Sequence, residues 1–236
     1  LIIYACSPTK KGTLQVTPSS LRLIDVYDIP YQFSFQQTTV GGLSGIDFDK
    51  TEQIFYTISD DRSALQPARF YSMKILFSDT KIDTVLFQQP VILKQPSGQP
   101  YPSSKENPQQ TPDPEAIRYN PITRQFVWTS EGERIITAKD TVIANPSIQV
   151  VDRTGKYIRS FSLPDNLRMS AQEKGPRRNG VLEGATFTNN YQHLFVSLEE
   201  PRYEDGPQAS LEPNDAWVRL YKFNVSNGKA VAQYAY

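Results

Sequence analysis

Hydrophobic and polar positions alternate in short runs along the chain, in a pattern that occurs three times. Each repeat opens with a strand-like segment that begins with a small residue, and a polar turn and a strongly β-forming run follow it. The opening segments are 43–49, 114–120 and 182–188, and the β-forming runs are 54–59, 126–130 and 194–198. The equivalent positions Ser44, Glu115 and Glu183 are separated by 71 and 68 residues. We therefore predict a β-hairpin at the start of each repeat.

Two further strand-like runs follow in every repeat. They span 69–75 and 83–93, then 148–152 and 157–161, then 218–223 and 230–234. Four antiparallel strands form the blade of a β-propeller, and no window has sustained helical periodicity. The sequence therefore predicts an all-β, β-propeller-like fold with about three four-stranded blades, and extra N-terminal strands at 21–26 and 31–35. Since a propeller closes with about four to eight blades, we expect residues 13–236 to be the N-terminal part of a truncated propeller domain.

The repeats are longer than the usual blade of about 40–45 residues, so each carries an insertion. The insertions are 95–112, 134–146 and 201–215. Loops of this kind often form the functional face of a protein, although they also serve as plain surface connections.

Composition excludes several classes of function. Lys and Arg together number 25, as do Asp and Glu, so the net charge is zero and a general nucleic-acid binder is not expected. With one Cys and one His, the chain cannot form a disulfide framework or a zinc finger. The only His, His193, ends a polar run that is typical of a hairpin turn. The segment 41–45 resembles a nucleophile elbow, but Ile46 stands where that motif needs Gly. Any catalysis must therefore use carboxylates and arginines, with or without a bound metal ion.

The amino end has an apolar run, residues 1–5, directly before Cys6. A short apolar run that ends in a small residue before Cys resembles the end of a bacterial lipoprotein signal, and this run is too short to span a membrane. We interpret residues 1–12 as a signal remnant and tether, with Cys6 as the lipidation site. This places the protein in the cell envelope or outside the cell, where a lipid anchor would be its only membrane contact. The alternative is a buried first strand with an ordinary Cys.

Acidic residues recur at the end of the second strand of each repeat. Asp60, Glu131 and Glu199 each follow the small residue of their repeat by 15 positions. In an antiparallel hairpin the start of the first strand lies beside the end of the second, so Glu115 should approach Glu131, and Glu183 should approach Glu199. The first strands line the channel of a propeller, which predicts an acidic rim there. Asp61, Glu133 and Glu200 extend this set.

Clustered carboxylates repel one another unless a cation or an arginine compensates their charge. Oxygen ligands without His or thiolate favour Ca²⁺, or alternatively Mg²⁺, and arginines bind phosphate oxygens through forked hydrogen bonds. The structural alternative is that Arg62, Arg69 and Arg178 pair with the carboxylates and hold the blades together.

The combined motifs resemble the phytase-like family of bacterial secreted proteins, described by an esterase-like activity of phytase. The resemblance runs from about Leu21 to Tyr236 and rests on the segments 41–47 with 59–62, 113–117 with 130–132, and 178–184 with 199–201. It implies a β-propeller-like domain whose recurrent acidic residues carry phosphoester chemistry. The chain departs from the pattern at Ser44, where the other repeats have Glu, and it lacks the further acidic repeats of the family.

The resemblance carries six acidic residues over as motif positions, with four companions: Asp60, Asp61, Glu115, Glu131, Glu183 and Glu199, and Arg62, Arg69, Arg178 and Asn179. We predict that the catalytic residues are Glu115, Glu183, Arg62 and Arg178, that the metal ligands are Asp60, Asp61, Glu131 and Glu199, and that the substrate-binding residues are Arg69 and Asn179. We therefore hypothesise a secreted phosphoester hydrolase, monomeric at full length, that uses a divalent cation on a small phosphorylated substrate. One alternative is a noncatalytic propeller that binds a ligand or partner at the same rim. Another is glycoside hydrolysis by a carboxylate pair, which needs no metal.

Overall fold

Each sequence repeat forms one four-stranded antiparallel sheet, which we call blades 1, 2 and 3 in chain order. The computed structural model describes residues 22–236. Blade 1 contains β3 (Leu43–Asp49), β4 (Ile54–Ser59), β5 (Arg69–Phe77) and β6 (Ile82–Ile92). Blade 2 contains β7 (Pro114–Asn120), β8 (Gln125–Ser130), β11 (Ser147–Val151) and β12 (Tyr157–Ser160). Blade 3 contains β13 (Leu182–Phe187), β14 (His193–Leu198), β15 (Arg219–Asn224) and β16 (Ala230–Ala235). The predicted all-β, β-propeller-like fold is confirmed.

Two small hairpins and two short turns of 3-10 helix complete the described structure. The first hairpin joins β1 (Ser34–Phe35) to β2 (Thr38–Thr39), and the second joins β9 (Glu133–Ile136) to β10 (Thr141–Ala144). The helical turns are Asp165–Leu167 and Tyr203–Asp205. Among residues 22–236, no helix has the length and apolar character needed to cross a membrane.

Three local predictions are wrong. The predicted strand 21–26 does not form in its described part, because Asp25 caps the edge of blade 1 through the Ile82 amide instead of joining a ladder. The insertion 134–146 is not a plain loop, because the residues on either side of a tight turn pair as the β9–β10 hairpin. His193 opens β14, where it pairs with Asn224, and does not lie in the turn. Cys6 and the predicted tether 1–12 lie outside the described residues.

The core lies between the blades, and β8 shows why. Its side chains alternate with the period of two that a strand imposes. Phe126 and Trp128 pack with blade 1, whereas Val127 packs with blade 3. Both faces of the middle blade are therefore buried, which explains the continuous apolar run in the sequence.

Side chains of neighbouring blades bind the backbone of the first strands. Ser44 donates a hydrogen bond to the carbonyl oxygen of Glu115 at 2.8 Å, and Thr129 donates to that of Leu182 at 2.8 Å. Lower on the same strands, Arg118 donates to the carbonyl oxygen of Ile46 at 2.7 Å. These contacts hold β3, β7 and β13 side by side, so their starts lie at one rim of the structure.

Candidate functional site

The first strand of every blade has a β-bulge at the same place. The register shifts between Leu43 and Gly45, between Pro114 and Ile117, and between Leu182 and Gly184. The bulged residues are Ser44, Glu115 and Glu183, which directly follow Leu43, Pro114 and Leu182. A bulge redirects a side chain and is common beside active sites. The three blades thus present equivalent positions at the rim, two of them occupied by Glu.

A backbone hydrogen bond just beyond each bulge fixes the second acidic position. The amides of Asp60, Glu131 and Glu199 donate to the carbonyl oxygens of Gly42, Asp113 and Val181, at 2.8, 3.0 and 3.1 Å. Each hairpin ladder is therefore extended by one contact past its strands. This contact places the acidic residue after the second strand beside the start of the first strand, as the hairpin pattern predicts.

Five carboxylates come together at this rim. Oxygens of Asp113, Glu115 and Glu131 lie within 4.8 Å of one another, and so do oxygens of Glu131, Glu183 and Glu199. We call these five residues the acidic cluster. Glu131 belongs to both groups and is the most enclosed of the five, with 3% of its surface exposed. The arrangement offers only oxygen ligands, which is the donor set of Ca²⁺ and Mg²⁺ sites.

Burial and mutual repulsion hinder ionisation of the cluster. Burial, followed by the charges of Glu183, Asp113 and Glu131, raises the pKa of Glu115 to about 9. Burial raises the pKa of Glu131 to about 7 and that of Asp113 to about 6. Burial, followed by the charge of Glu199, also raises the pKa of Glu183. The cluster therefore retains protons at neutral pH unless a cation balances its charge.

Glu133, two residues beyond Glu131, anchors the neighbouring arginines. It is 3% exposed, accepts a hydrogen bond from Arg62, and accepts another from Arg178 at 2.8 Å. Burial opposes its ionisation, but the hydrogen bond and charge of Arg62, with the charge of Arg178, hold the pKa of Glu133 below its usual value. Glu133 is thus the carboxylate that both guanidinium groups bind through hydrogen bonds, whereas among the five residues of the acidic cluster only Asp113 has an ion pair with one of them, Arg62.

Arg62 lies beside the acidic cluster with hydrogen-bond donors to spare. Its Nε is 3.6 Å from a carboxylate oxygen of Asp113, which is too long for a hydrogen bond. Within the described part of the chain, Nε and Nη2 of Arg62 are buried and have no hydrogen-bond partner. A buried donor without a partner costs free energy, so this guanidinium is suited to an anionic ligand.

Asp61 and Arg69 form a closed structural unit. The Asp61 carboxylate accepts hydrogen bonds from three backbone amides, Ala64 to Gln66, and from Arg69 at 2.8 Å. Arg69 is 1% exposed and also donates to Tyr71 and to the carbonyl oxygen of Thr39. The polar atoms of Asp61 and Arg69 are thus committed within this unit, and their assignments as a metal ligand and a substrate-binding residue stay predictions.

The other assigned residues lie at the margin of the cluster. Asp60 is outside both groups of close oxygens, and burial and the charge of Asp61 raise its pKa. The Arg178 side chain is 50% exposed, and Asn179 is exposed with a left-handed φ of 48°. The structure thus brings Glu115, Glu131, Glu183 and Glu199 together and leaves Asp60 and Asn179 at the edge.

A family model described as phytase-like, with esterase-like activity of phytase, matches residues 38–236. The chain belongs to the phytase-like family. The family predicted from the motifs is confirmed. No curated protein matches the chain significantly.

Solved structures with similarity to this phytase-like chain have low sequence identity to it. One is a eukaryotic initiation factor, with 10% sequence identity and a TM-score of 0.39, and the match covers 86% of this chain and 34% of that chain. Another is the Dos1 propeller, with 10% sequence identity and a TM-score of 0.39, and the match covers 82% of this chain and 37% of that chain. The periplasmic gluconolactonase PpgL of Pseudomonas aeruginosa is also similar, with 10% sequence identity and a TM-score of 0.38, and the match covers 84% of this chain and 58% of that chain. The chain spans less than two thirds of the length of each of these proteins.

Sequence reasoning missed two residues of the phytase-like site. Asp113 was noticed only as part of a motif, yet it completes one of the two carboxylate groups. Its position directly before β7, equivalent to Gly42 and Val181, was the available signal. Glu133 was placed with the acidic rim, but its partners Arg62 and Arg178 are 71 and 45 residues away in sequence. No local pattern reveals such pairs.

The raised pKa values predict that the cation-free protein is stabilised as the pH falls from 9 to 6. In this range the folded protein binds more protons than the unfolded chain, because the pKa values of Glu115, Glu131 and Asp113 are raised on folding. The expected gain is about 2 kcal/mol, or about 4–8 °C in Tm, for a protein of this size. Below about pH 4 the trend reverses, because Glu133 and Asp61, whose pKa values are lowered, then lose their stabilising charge.

Thermal melts at several pH values in the presence of a chelator measure this effect. Saturating Ca²⁺ should raise Tm more at pH 8 than at pH 6, because protons compete with the cation for the same carboxylates. A chelated protein whose Tm is constant from pH 6 to 9 would show that the cluster ionises without penalty.

Proposed function

We propose that this protein hydrolyses a phosphate ester with the help of a divalent cation held by the acidic cluster. One observation carries the proposal. Five carboxylates form two groups of close oxygens that share Glu131, and the nearby guanidinium groups of Arg62 and Arg178 donate their side-chain hydrogen bonds to Glu133. Membership of the phytase-like family supports a hydrolase.

The donor set fits a hard cation. The cation would be held by one of the two groups of close oxygens. One group is Asp113, Glu115 and Glu131, and the other is Glu131, Glu183 and Glu199. Their raised pKa values reflect burial together with the proximity of like charges, and a bound cation would relieve that repulsion. Ca²⁺ is favoured over Mg²⁺ because it accepts several protein carboxylates in a flexible geometry, whereas Mg²⁺ retains most of its water. When bound, such a cation polarises a phosphoryl oxygen and lowers the pKa of a coordinated water.

The residues of this chain supply the remaining requirements. Arg62 would donate its uncommitted Nε and Nη2 groups to the phosphate oxygens. Glu133 orients the Arg62 and Arg178 guanidinium groups at the edge of the cluster. Glu115 and Glu183, whose pKa values are raised, would move a proton at the ester oxygen. Asn179, exposed beside Arg178, remains a proposed contact for the rest of a small phosphorylated substrate.

Glycoside hydrolysis has less support. The two carboxylates of a glycosidase are about 5–9.5 Å apart, so that a sugar and often a water fit between them. The acidic cluster instead holds three carboxylate oxygens within 4.8 Å of one another in each of its two groups, which is closer than that. A noncatalytic propeller that binds a ligand at the same rim remains the outcome if the following assay fails.

Hydrolysis of a chromogenic phosphodiester in the presence of Ca²⁺ tests the proposal. We expect Glu115→Gln and Glu183→Gln each to reduce kcat by about 100-fold or more, because general acid–base groups contribute at least that factor. Glu106→Gln, which changes an exposed residue of the 95–112 insertion, is the matched control and should retain activity. Activity that survives both cluster substitutions, or that persists in excess chelator, contradicts the proposed site.

A further inference from the structure

A cavity of about 1040 Å³ lies beside the acidic cluster, between blade 1 and the segment 29–32. Most of its wall is apolar, and the apolar side chains are Ile29, Pro30, Tyr31, Val40, Leu43 and Leu65. Asp60 and Arg62 also line it. These two residues neighbour the cluster as well, since Arg62 approaches Asp113 and the charge of Asp60 acts on Glu115. Asp60 and Arg62 therefore lie between the cavity and the acidic cluster.

The charges in this cavity nearly cancel. Its wall contains two carboxylates and two guanidinium groups. Asp61 and Arg69 pair with each other and have no free donor or acceptor for a ligand. Of the two guanidinium groups, only Arg62 has N–H groups without a partner. Arg62 is thus the guanidinium on this wall that can offer hydrogen bonds to an anionic group, and Asp60 would repel a second such group.

We infer that this cavity receives the uncharged, apolar part of the substrate, while its single phosphate group lies at Arg62. The substrate class would be an aryl or alkyl phosphate ester. Phytate, which carries a phosphate on every ring carbon, does not match a cavity with one available guanidinium. A volume of this size accommodates a ring or chain of small-molecule size, and Tyr31 offers an aromatic surface to it. The inference rests on the proposed function for its link to hydrolysis, but the binding preference is separately testable.

Gly41 provides a way to fill the cavity without disturbing the fold. It lines the cavity, and a Cβ added there would meet no atom within 4 Å. Gly41→Phe should therefore occupy the space meant for the apolar group. Ala171→Phe is the matched control, because Ala171 is exposed and does not line the cavity.

Titration calorimetry with phenylphosphonate and methylphosphonate tests the inference, since neither P–C bond is hydrolysed. We expect the wild-type protein and Ala171→Phe each to bind phenylphosphonate at least about ten-fold more tightly than methylphosphonate, because the ring is buried in the cavity. In Gly41→Phe that preference should fall below about two-fold. Equal affinities in the wild type, absence of binding, or a preference that survives Gly41→Phe would overturn the inference. If the protein prefers phenylphosphonate but has no phosphoesterase activity, the proposed function is wrong, and the inference that the cavity binds an apolar group still stands.

Discussion

Glu131→Gln is expected to remove the response of the protein to calcium. Glu131 is the member shared by both groups of close carboxylates, so its loss leaves neither group complete. Substitution of even an outer-shell partner weakens metal binding by about 10–100-fold, and a shared ligand should cost at least the upper value. At a calcium concentration of about 100 Kd, the wild type gains about 2.7 kcal/mol, or about 5–11 °C in Tm. The variant should lose most of that gain, together with hydrolysis.

The same variant should be more stable than the wild type when calcium is absent. The glutamine oxygen can still accept the hydrogen bond that Glu131 receives from the Val181 amide. The substitution also removes a buried charge from a cluster that repels it, as the raised pKa of Glu131 indicates. We expect a gain of about 1–3 kcal/mol at pH 8, since one pKa unit corresponds to about 1.4 kcal/mol.

Opposite changes with and without calcium distinguish a binding site from a structural network. Melts of the wild type, Glu131→Gln and the control Glu200→Gln, each with chelator and with calcium, measure both effects. Glu200 follows Glu199 but belongs to neither group, and its carboxylate accepts a hydrogen bond from the Ala209 amide. If Glu131→Gln is destabilised in chelator and keeps its calcium response, the cluster is structural.

The second large effect is expected for Glu133→Met, which should destabilise the protein by about 3 kcal/mol. Removal of one partner from a buried ion pair leaves the other charge without compensation, at a cost of about 3–5 kcal/mol. The lower value applies because the Arg178 side chain is half exposed, so water can hydrate its charge when Glu133 is removed. The Arg62 side chain is only 22% exposed, so most of the cost arises there. Tm should fall by about 6–12 °C for a protein of this size.

A double substitution separates the ion pair from simple packing. Arg62→Met combined with Glu133→Met removes both charges, and apolar replacement of a buried pair is often close to neutral. We expect the double variant to recover most of the stability lost in Glu133→Met, as measured by urea unfolding at pH 7. Additive losses in the double variant would show that Arg62 does not depend on Glu133.

The sequence predicts the three blades because their information is local. The alternation in β8 and the polar turns on either side of the hairpins are contained within short segments, and the hairpin pairing follows from them. The same pairing correctly brought Glu115 toward Glu131 and Glu183 toward Glu199. The bulges that direct Glu115 and Glu183 to the rim were not predictable, since they depend on the contact between neighbouring first strands.

Acidic residues that lie close together in the sequence have different surroundings in the site. Asp60 and Asp61 look equivalent, but the Asp61 side chain turns into its own loop and binds the following amides and Arg69. Glu131 and Glu133 also look equivalent, yet only Glu133 meets the arginines. In each pair, contacts to distant residues determine the role, and spacing alone does not contain them.

Anomalous X-ray diffraction from crystals soaked with Tb³⁺, a substitute for Ca²⁺ with a strong anomalous signal, tests the central claim most directly. We expect a peak within bonding distance of Glu131 and of at least two other carboxylates of the acidic cluster. Added Ca²⁺ should displace it, and Glu131→Gln crystals should lack it. A map with no peak at the cluster, for a protein whose hydrolysis nevertheless requires a divalent cation, would contradict the assignment of this rim as the metal centre.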